Sequence, residues 1–465
     1  MELDEYQKQI IDNDTSIKII AGAGSGKTFS LLKKIEYLIN NKGIKEEEIL
    51  MISFTNKSTN DIKNKLKHNI LVLTFHKLAI KILDDLNYNY KLTNTSYLEY
   101  IIDEYLYNID NLNKKYILKY LNYEFSYKRL MNTYLFISFK KMIFKYIMFL
   151  KSNNYNIKEI LNIKYSKIEK RIVYLILNIY KLYKEELNST NTIDLDDLII
   201  YASNLVDKTN YKYKYIFVDE FQDTSQIRFD LVYKLVKRCH AKFICVGDDW
   251  QSIYKFTGCN LFIFLNINEY FKDILEIKFK YNYRNTEKLV FIAKTFIENN
   301  KYQIKKELLT TNKFDNDPLI FIPYNDNKKE LKKLLDELID TDTLILSRNN
   351  FDINSYLDND IKLIEDTLVY KEYSFKYMTV HKSKGLESDY VIILNCNNST
   401  LGFPNKLEDS SIIKKLSTQL EIDYAEERRL MYVAITRARY KTYLLYNINN
   451  PSIFIKELKK IAKKF

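Results

Sequence analysis

The residues that decide the fold lie in one stretch, Ala21-Gly22-Ala23-Gly24-Ser25-Gly26-Lys27-Thr28, which follows the apolar run Ile17–Ile20. A segment with helical spacing begins shortly after it, at Leu31. A strand, a glycine loop and a helix N-terminus in this order form an anion site, because backbone N–H groups face the ligand and the helix dipole favours negative charge. A glycine-rich turn that binds nothing is the alternative interpretation.

Glycine is scarce in this chain, which holds 8 glycines in 465 residues, where an average usage of roughly 7% would give about thirty. Three of them fall in the loop, so we interpret these as positions where no other residue fits. Lys27 would place a cation near the terminal phosphates of a nucleotide, and Thr28 would offer a hydroxyl to Mg²⁺. The strict form of this pattern has glycine where the chain has Ala21.

Composition limits the class of protein. The net charge of +12 indicates a polyanionic partner, although a lysine-rich surface is the alternative. The four cysteines show no C-x-x-C spacing, which is typical of buried residues in a reducing compartment. The N-terminus does not resemble a signal peptide, and the apolar stretch 134–150 contains three lysines, so it does not predict a membrane span. We expect a soluble cytoplasmic protein.

Short apolar runs recur along the chain and alternate with segments of helical spacing. They lie at residues 17–20, 49–54, 70–75, 215–218, 243–246, 319–322, 343–346, 390–394 and 442–445. This alternation predicts parallel sheets that are covered by helices. Residues 82–192 differ, because they contain neither glycine nor proline and show helical spacing throughout, which predicts a helical insertion.

Two carboxylates follow the apolar run 215–218. Asp219 is suited to hold Mg²⁺, and Glu220 is suited to orient and deprotonate an attacking water, which is the division of labour in metal-assisted phosphoryl transfer. A solvated acidic pair is the alternative interpretation, but the position after a phosphate loop and a buried strand favours catalysis.

A third motif follows the run 243–246 and reads Gly247-Asp248-Asp249-Trp250-Gln251-Ser252-Ile253-Tyr254-Lys255-Phe256. Gln251 could hydrogen-bond a γ-phosphate and change partners when that phosphate leaves. Tyr254 and Phe256 could stack on bases. Packing in the core is the alternative for these two rings and for Trp250.

These motifs resemble those of the superfamily 1 helicases of the UvrD/Rep group, and residues 247–258 are most similar to the helicase IV branch. The matching segments stand in the order 219–225, 247–254, 282–284, 379–387 and 426–439. The resemblance runs from Leu3 to Tyr440 and leaves out the helical insertion.

The resemblance implies roles for residues around ATP. Gln7 would read the adenine, and Tyr283 would stack on it. Arg284 and Arg437 would contact the γ-phosphate from a second domain, which neutralises charge on the transferring group only when the cleft closes. A surface ion pair is the alternative for each arginine. The residues expected to take part in catalysis are Lys27, Glu220, Gln251, Arg284 and Arg437.

The resemblance also implies a path for DNA. The residues expected to contact a single strand are Phe54, Thr55, Asn56, Thr74, Phe75, His76, Tyr254, Phe256 and His381. Hydroxyls and amides bind phosphates, and aromatic rings stack on bases of any sequence. A structural role is the alternative for His76 and His381. Gly385 and Glu387 resemble the element that couples nucleotide to DNA, where Glu387 would accept from the ribose hydroxyl.

The chain departs from the family in three places. Phe29 stands where arginine is frequent, and Phe256 stands where tryptophan is frequent. Only residues 347–378 separate the run 343–346 from the motif at 379, where larger relatives insert a 2B-type subdomain. We therefore expect this subdomain to be absent, and we expect no nuclease domain after Arg439.

The resemblance thus implies an α/β fold with two RecA-like P-loop domains and parallel sheets. The first motor domain would comprise residues 1–80 and 193–278, with the 1B-type helical insertion at 81–192, and the second would comprise residues 279–465. The implied function is an ATP- and Mg²⁺-dependent DNA helicase or translocase, moving 3′ to 5′ on single-stranded or tailed DNA as a monomer. A switch that remodels a protein–nucleic acid complex with little unwinding is the alternative.

Overall fold

The computed structural model describes residues 3–94, 96–310, 312, 317–407, 409–416 and 423–464, and describes only the backbone of Phe256. Its strands, in chain order, are β1 (Ile17–Ile20), β2 (Ile49–Ser53), β3 (Leu71–Thr74), β4 (Lys91–Leu92), β5 (Thr192–Ile193), β6 (Tyr215–Val218), β7 (Lys242–Gly247), β8 (Leu275–Lys278), β9 (Tyr281–Asn282), β10 (Leu309–Thr310), β11 (Leu319–Tyr324), β12 (Thr343–Ser347), β13 (Ile361–Ile364), β14 (Thr367–Tyr370), β15 (Tyr373–Thr379), β16 (Ser388–Ile393) and β17 (Ala438–Asn447).

The α-helices, in chain order, are α1 (Glu5–Asp12), α2 (Lys27–Asn40), α3 (Asn56–Lys65), α4 (Phe75–Asp85), α5 (Ser96–Tyr107), α6 (Asn111–Tyr120), α7 (Tyr127–Leu130), α8 (Tyr134–Ser152), α9 (Ile157–Asn162), α10 (Lys167–Ser189), α11 (Leu195–Leu205), α12 (Gln226–Cys239), α13 (Leu261–Leu265), α14 (Glu287–Ile297), α15 (Asn327–Glu337), α16 (Ser411–Leu416), α17 (Ala425–Ile435) and α18 (Ile453–Ala462).

The first sheet has the strand order β3-β2-β6-β7-β1-β8, and every neighbouring pair in it is parallel. Alternate residues of a strand point to opposite faces. Leu50 and Ile52 therefore pack in the core on one face, and Ile49 and Met51 pack in the core on the other. Because both faces are covered, these strands read as continuous apolar runs.

The second sheet has the order β11-β17-β16-β12-β15-β14-β13. It is parallel except at β13 and β14, an antiparallel hairpin that extends one edge. With a short 3₁₀ helix at Asn350–Ser355, this hairpin occupies the interval in which the sequence predicts no large insertion. The prediction of an α/β fold with two parallel sheets is confirmed, whereas the exact domain boundaries stay a prediction.

A third core lies among helices α5, α6, α8 and α10, within the predicted insertion. No local pattern in the sequence predicts that the short helix α16 joins this core. Ile412, Ile413 and Leu416 are buried there, although the segment belongs to a distant part of the chain. The Tyr155 hydroxyl also donates to the Leu416 carbonyl at 2.9 Å.

A buried charge cluster joins these helices to the first sheet. Lys151 of α8 pairs with Asp194, which caps the N-terminus of α11, and with Asp197 at 2.9 Å. Asp196 lies beside this pair, and its Oδ2 atom has no hydrogen-bond partner in the structure. Burial, together with the charge of Asp194, raises the pKa of Asp196 from 3.8 to about 6.

We expect Asp196→Asn to stabilise the protein. Above pH 6 the fold keeps a charge that it disfavours, so the substitution should raise the free energy of unfolding by about 1–3 kcal/mol at pH 8 and by less at pH 5. Below the unfolded-state pKa the gain should vanish, because the carboxyl is then protonated in both states. Urea denaturation at the two pH values measures the difference.

Asp194→Asn is the matched control, and it should destabilise the fold because Lys151 loses a buried partner. A loss of stability in Asp196→Asn at pH 8 would contradict the predicted cost of the charge at that position.

Candidate active site

The glycine loop lies between β1 and α2, at the edge of the sheet where parallel strands end. The N-cap residue of α2, Gly26, has φ +77 and provides no side-chain cap. The first N–H groups of a helix have no acceptor within the helix, so they are available to an anion at this end. The Ser25 hydroxyl donates to the Gly22 carbonyl at 2.9 Å and fixes the shape of the loop.

A segment that follows the first sheet packs directly against this loop. The Tyr283 N–H donates to the Gly24 carbonyl at 2.8 Å, and the Asn282 amide donates to the Ala23 carbonyl at 2.8 Å. A Cβ added at Gly24 would lie 2.6 Å from Cβ of Arg284. Only glycine therefore permits this close approach, and the φ of +69 at Gly24 also favours glycine.

Thr28 and Asp219 lie together, as the sequence predicts for a magnesium site. The Thr28 hydroxyl donates to Oδ2 of Asp219 at 2.8 Å. Burial, and then the charge of Glu220, raises the pKa of Asp219 to about 6. A hydroxyl and a buried carboxylate beside a phosphate loop are the hard oxygen donors that Mg²⁺ prefers, so the residues present fit this ion.

Glu220 follows Asp219 in the left-handed backbone region, with φ +51. Strain of this kind is frequent at functional sites. The Glu220 carboxylate lies 3.3 Å from Lys27 Nζ and 3.8 Å from Lys384 Nζ, and it accepts from the Gln222 amide at 2.6 Å. Burial opposes the charged form, but the cations of Lys27 and Lys384 outweigh it and lower the pKa of Glu220 to about 2.

Gln251 and Arg437 meet across the gap between the two sheets. The Arg437 guanidinium donates to Oε1 of Gln251 at 3.0 Å, while the Gln251 amide donates to Asp248 at 2.5 Å. Arg437 also donates to the carbonyls of Val433 and Leu386 and is only 1% exposed. Burial, together with the nearby charge of Arg284, lowers its pKa to about 9.

The second predicted arginine, Arg284, pairs with Glu387 at 2.6 Å. Glu387 pairs at the same time with Arg439 at 2.9 Å. Burial disfavours the charge of Glu387, but the two guanidinium groups outweigh it and lower its pKa. Gly385 has φ +84 and no atom within 4 Å of an added Cβ, so its conformation rather than its size requires glycine.

The residues predicted to bind adenine lie beside Gly26, where the glycine loop ends and α2 begins. Gln7 is 3% exposed, and its amide nitrogen would be 3.3 Å from a Cβ placed on Gly26. The Tyr283 ring lies 3.9 Å from the same point, and its hydroxyl donates to Asp4. The structure therefore brings Gln7 and Tyr283 to one place beside the phosphate loop.

The residues predicted to contact DNA fall into two groups. In the first, Thr55 and Thr74 cap α3 and α4 by accepting from the backbone, Asn56 is exposed, and His76 is half-buried. Phe75 is 2% exposed and packs on Phe54, so Phe54 is the more accessible ring of the pair. Burial lowers the pKa of His76 to about 4.

The second group joins the third motif to the segment after β15. The Tyr254 hydroxyl donates to the His381 carbonyl at 2.9 Å, and Lys384 Nζ lies 5.2 Å from the Tyr254 ring centroid. Burial lowers the pKa of His381 to about 4. The side chain of Phe256 lies outside the described part of the chain. Trp250 is fully buried, which agrees with the interpretation of core packing.

Sequence reasoning missed Lys384, which donates to Asp223 and to the Gln251 carbonyl at 2.8 Å. A signal existed, because Lys384 precedes Gly385 inside the motif at 379–387. In a chain with so many lysines, however, a single lysine carries little information.

We expect Gly24→Ala to weaken nucleotide binding strongly. The added Cβ would lie 2.6 Å from Cβ of Arg284 and 2.9 Å from Oδ1 of Asn282, so the loop would have to move away from both residues. Gly43→Ala is the matched control, because Gly43 has a similar φ of +66 but nothing within 4 Å. Both variants carry a backbone cost of about 1–2 kcal/mol. Titration with a fluorescent ATP analogue should show a large loss of affinity only in Gly24→Ala, and equal affinities would contradict the close approach.

Comparison with known proteins places these features in a family. A model of the UvrD/REP helicase N-terminal domain matches residues 3–272, and a model of the UvrD-like helicase C-terminal domain matches residues 357–449. Over 98% of its length the chain is 27% identical to DNA helicase IV of Escherichia coli (strain K12), of which the match covers 69%.

The chain is also 29% identical, over 80% of its length, to ATP-dependent DNA helicase Rep of Buchnera aphidicola subsp. Schizaphis graminum, and 28% identical, over 66%, to ATP-dependent DNA helicase PcrA of Bacillus subtilis (strain 168). It spans 52% and 40% of these two relatives. Among the described residues, no helix combines the length and apolar character needed to cross a membrane. The chain belongs to the UvrD/Rep helicase family.

Proposed function

We propose that the chain is an ATP-dependent DNA helicase and single-strand translocase that moves 3′ to 5′. The observation that carries this proposal is the contact between Arg437 and Gln251, which joins the two sheets at 3.0 Å beside the phosphate loop. A ligand that changes this contact would change the relation between the two sheets, and a motor needs such coupling.

In the proposed mechanism, the N–H groups at the start of α2 and the Lys27 ammonium bind the phosphates of ATP. Thr28 and Asp219 would hold Mg²⁺, and the ion would neutralise negative charge on the phosphates. Once Lys27 turns to the phosphates, Glu220 loses a cation that lowers its pKa and becomes a stronger base for water. Arg284 and Arg437 exchange their present partners for the γ-phosphate and stabilise its charge.

The coupling to DNA is proposed to run through Tyr254 and His381. Tyr254 lies in the segment after β7 of the first sheet, and His381 lies in the segment after β15 of the second. The two residues are joined at 2.9 Å, so a shift between the sheets would displace a DNA strand that contacts both. Phe54 and the helix ends at Thr55 and Thr74 would bind the strand on the side of the first sheet. The relatives are named DNA helicases, and the net charge of +12 suits a polyanion.

A second function is an ATP-driven switch that remodels a protein–nucleic acid complex. One observation favours it, since the interval between β12 and β15 holds only a 3₁₀ helix and a hairpin instead of a subdomain. A monomeric state, a cytoplasmic location and an unidentified protein partner stay predictions.

We expect Lys27→Ala and Glu220→Gln to abolish DNA-stimulated ATP hydrolysis. Lys27→Ala removes the cation that binds phosphate, whereas Glu220→Gln keeps the phosphate site and should still bind ATP. A coupled ATPase assay with and without single-stranded DNA measures turnover, and a fluorescent ATP analogue measures binding. Full turnover in either variant would remove that residue from the proposed chemistry.

Strand displacement on tailed duplexes distinguishes the two functions. The helicase proposal predicts unwinding of a duplex with a 3′ tail and little unwinding of one with a 5′ tail, with Glu220→Gln as the inactive control. Brisk DNA-dependent ATPase without unwinding of either substrate would favour the remodelling switch. Unwinding from the 5′ tail alone would reverse the proposed direction.

A further inference from the structure

Lys306 is a lysine that no motif of the sequence singles out, yet it is fully buried beside the active site. Its ammonium pairs with Asp248 and, at 2.7 Å, with Asp249, and it donates to the Ala21 carbonyl at 3.0 Å. It also lies 4.7 Å from the Trp250 ring centroid. One cation thus connects the phosphate loop to the third motif.

The segment around Lys306 is fixed to the same motif by its backbone. The Gln303 amide donates to the Asp249 carbonyl at 2.9 Å, and the Ile304 N–H donates to the Asp249 carboxylate at 2.8 Å. The Trp250 indole donates to the Ile304 carbonyl at 2.9 Å. Lys306 therefore has little freedom to point elsewhere.

The ion pairs of Lys306 with Asp248 and Asp249 depend on a balance between burial and charge. Burial disfavours the charge of Lys306, but Asp248 and Asp249 outweigh it and raise its pKa. Burial also raises the pKa of Asp249. Two buried carboxylates side by side repel each other unless a cation lies between them.

Asp248 is the centre of a chain of hydrogen bonds that crosses the site. Its N–H donates to Oε1 of Gln222 at 2.9 Å, and the Gln222 amide donates to Glu220 at 2.6 Å. The Asp248 carboxylate oxygen that does not pair with Lys306 accepts from the Gln251 amide. The Oε1 atom of Gln251 in turn accepts from Arg437 at 3.0 Å. Lys306 and Gln251 thus hold opposite oxygens of one carboxylate.

We propose that Lys306 is a positioning residue for ATP hydrolysis. Its ammonium fixes the orientation of the Asp248 carboxylate, and Asp248 then holds Gln251 in the position from which it accepts from Arg437. This inference rests on the proposed function, because it assigns the action to the same ATPase site. Lys306 contacts the loop at the Ala21 carbonyl, and it acts on the reacting atoms through Asp248 and Gln251.

The first test is Lys306→Met, which keeps the length of the side chain and removes the charge. At saturating single-stranded DNA, kcat for ATP should fall by about 10²-fold, the loss typical of a misplaced transition-state donor. The KM for ATP and the affinity for a fluorescent analogue should change by less than about threefold, because Lys27 and the N–H groups at the start of α2 are kept and the loop loses a donor at the Ala21 carbonyl alone. An unchanged kcat would overturn the proposal.

Lys34→Met is the matched control. Lys34 is also buried, but its ammonium donates to the carbonyls of Ile11 and Asn13, each at 2.7 Å. The loss of a buried lysine should lower the melting temperature in both variants. Only Lys306→Met should lose kcat, and an equal loss in Lys34→Met would reduce the effect to general destabilisation.

A double-mutant cycle with Gln251→Ala tests the route of the effect. If Lys306 acts through Asp248 and Gln251, Lys306→Met should lower the single-turnover rate very little in the Gln251→Ala background. An equal loss in both backgrounds would overturn the proposal, since Lys306 would then act independently of Gln251. Should Lys306→Met not fold, Lys306→Gln keeps a donor without the charge and takes its place in the cycle.

Lys27→Ala is measured alongside these variants to separate the two proposals. Turnover in Lys27→Ala would refute the assigned ATPase site, and the inference about Lys306 would fall with it. An inactive Lys27→Ala combined with a fully active Lys306→Met would leave the proposed function standing and refute only the role of Lys306.

Discussion

The contact between the glycine loop and residues 282–284, at the end of β9, is the constraint on which the rest of the structure depends. Two backbones approach so closely at Gly24 that a single methyl group would collide with Arg284. Hydrogen bonds from Asn282 and Tyr283 to loop carbonyls fix this approach. Because the same loop presents its N–H groups to phosphate, the place that would receive a nucleotide is also the place where the two halves of the chain meet.

The buried charges where the two halves of the chain meet are divided between the halves by sign. The first sheet ends in buried carboxylates, among them Asp223 and Asp248, and the second half supplies the cations Lys384 and Lys306 that pair with them. Isolated carboxylates in such surroundings would be costly, so each half stabilises the charged state of the other. The interface is therefore held by ion pairs at the active site rather than by apolar packing alone.

Much of this architecture could be predicted from the sequence, because the informative residues are rare in this chain. Because glycine and arginine are scarce, they identified the loop at Gly24 and the candidate residue Arg437. Apolar runs identified the strands of both sheets. Lysine is abundant, so nothing local distinguished Lys306 or Lys384 from the many lysines on the surface. Their importance comes from long-range burial against acids, which no local pattern records. The packing of α16 against the helical insertion was not predicted for the same reason.

The position of α16 changes how the parts of the molecule are linked. The chain joins the first sheet to the helical insertion covalently, α16 joins the insertion to the second half, and the active site joins the second half back to the first sheet. These joints form a closed ring of contacts. Burial of Ile412, Ile413 and Leu416, each worth about 1.5–3 kcal/mol, stabilises the joint at α16. A hinge motion at the nucleotide that keeps the α16 contact would therefore also move the helical insertion.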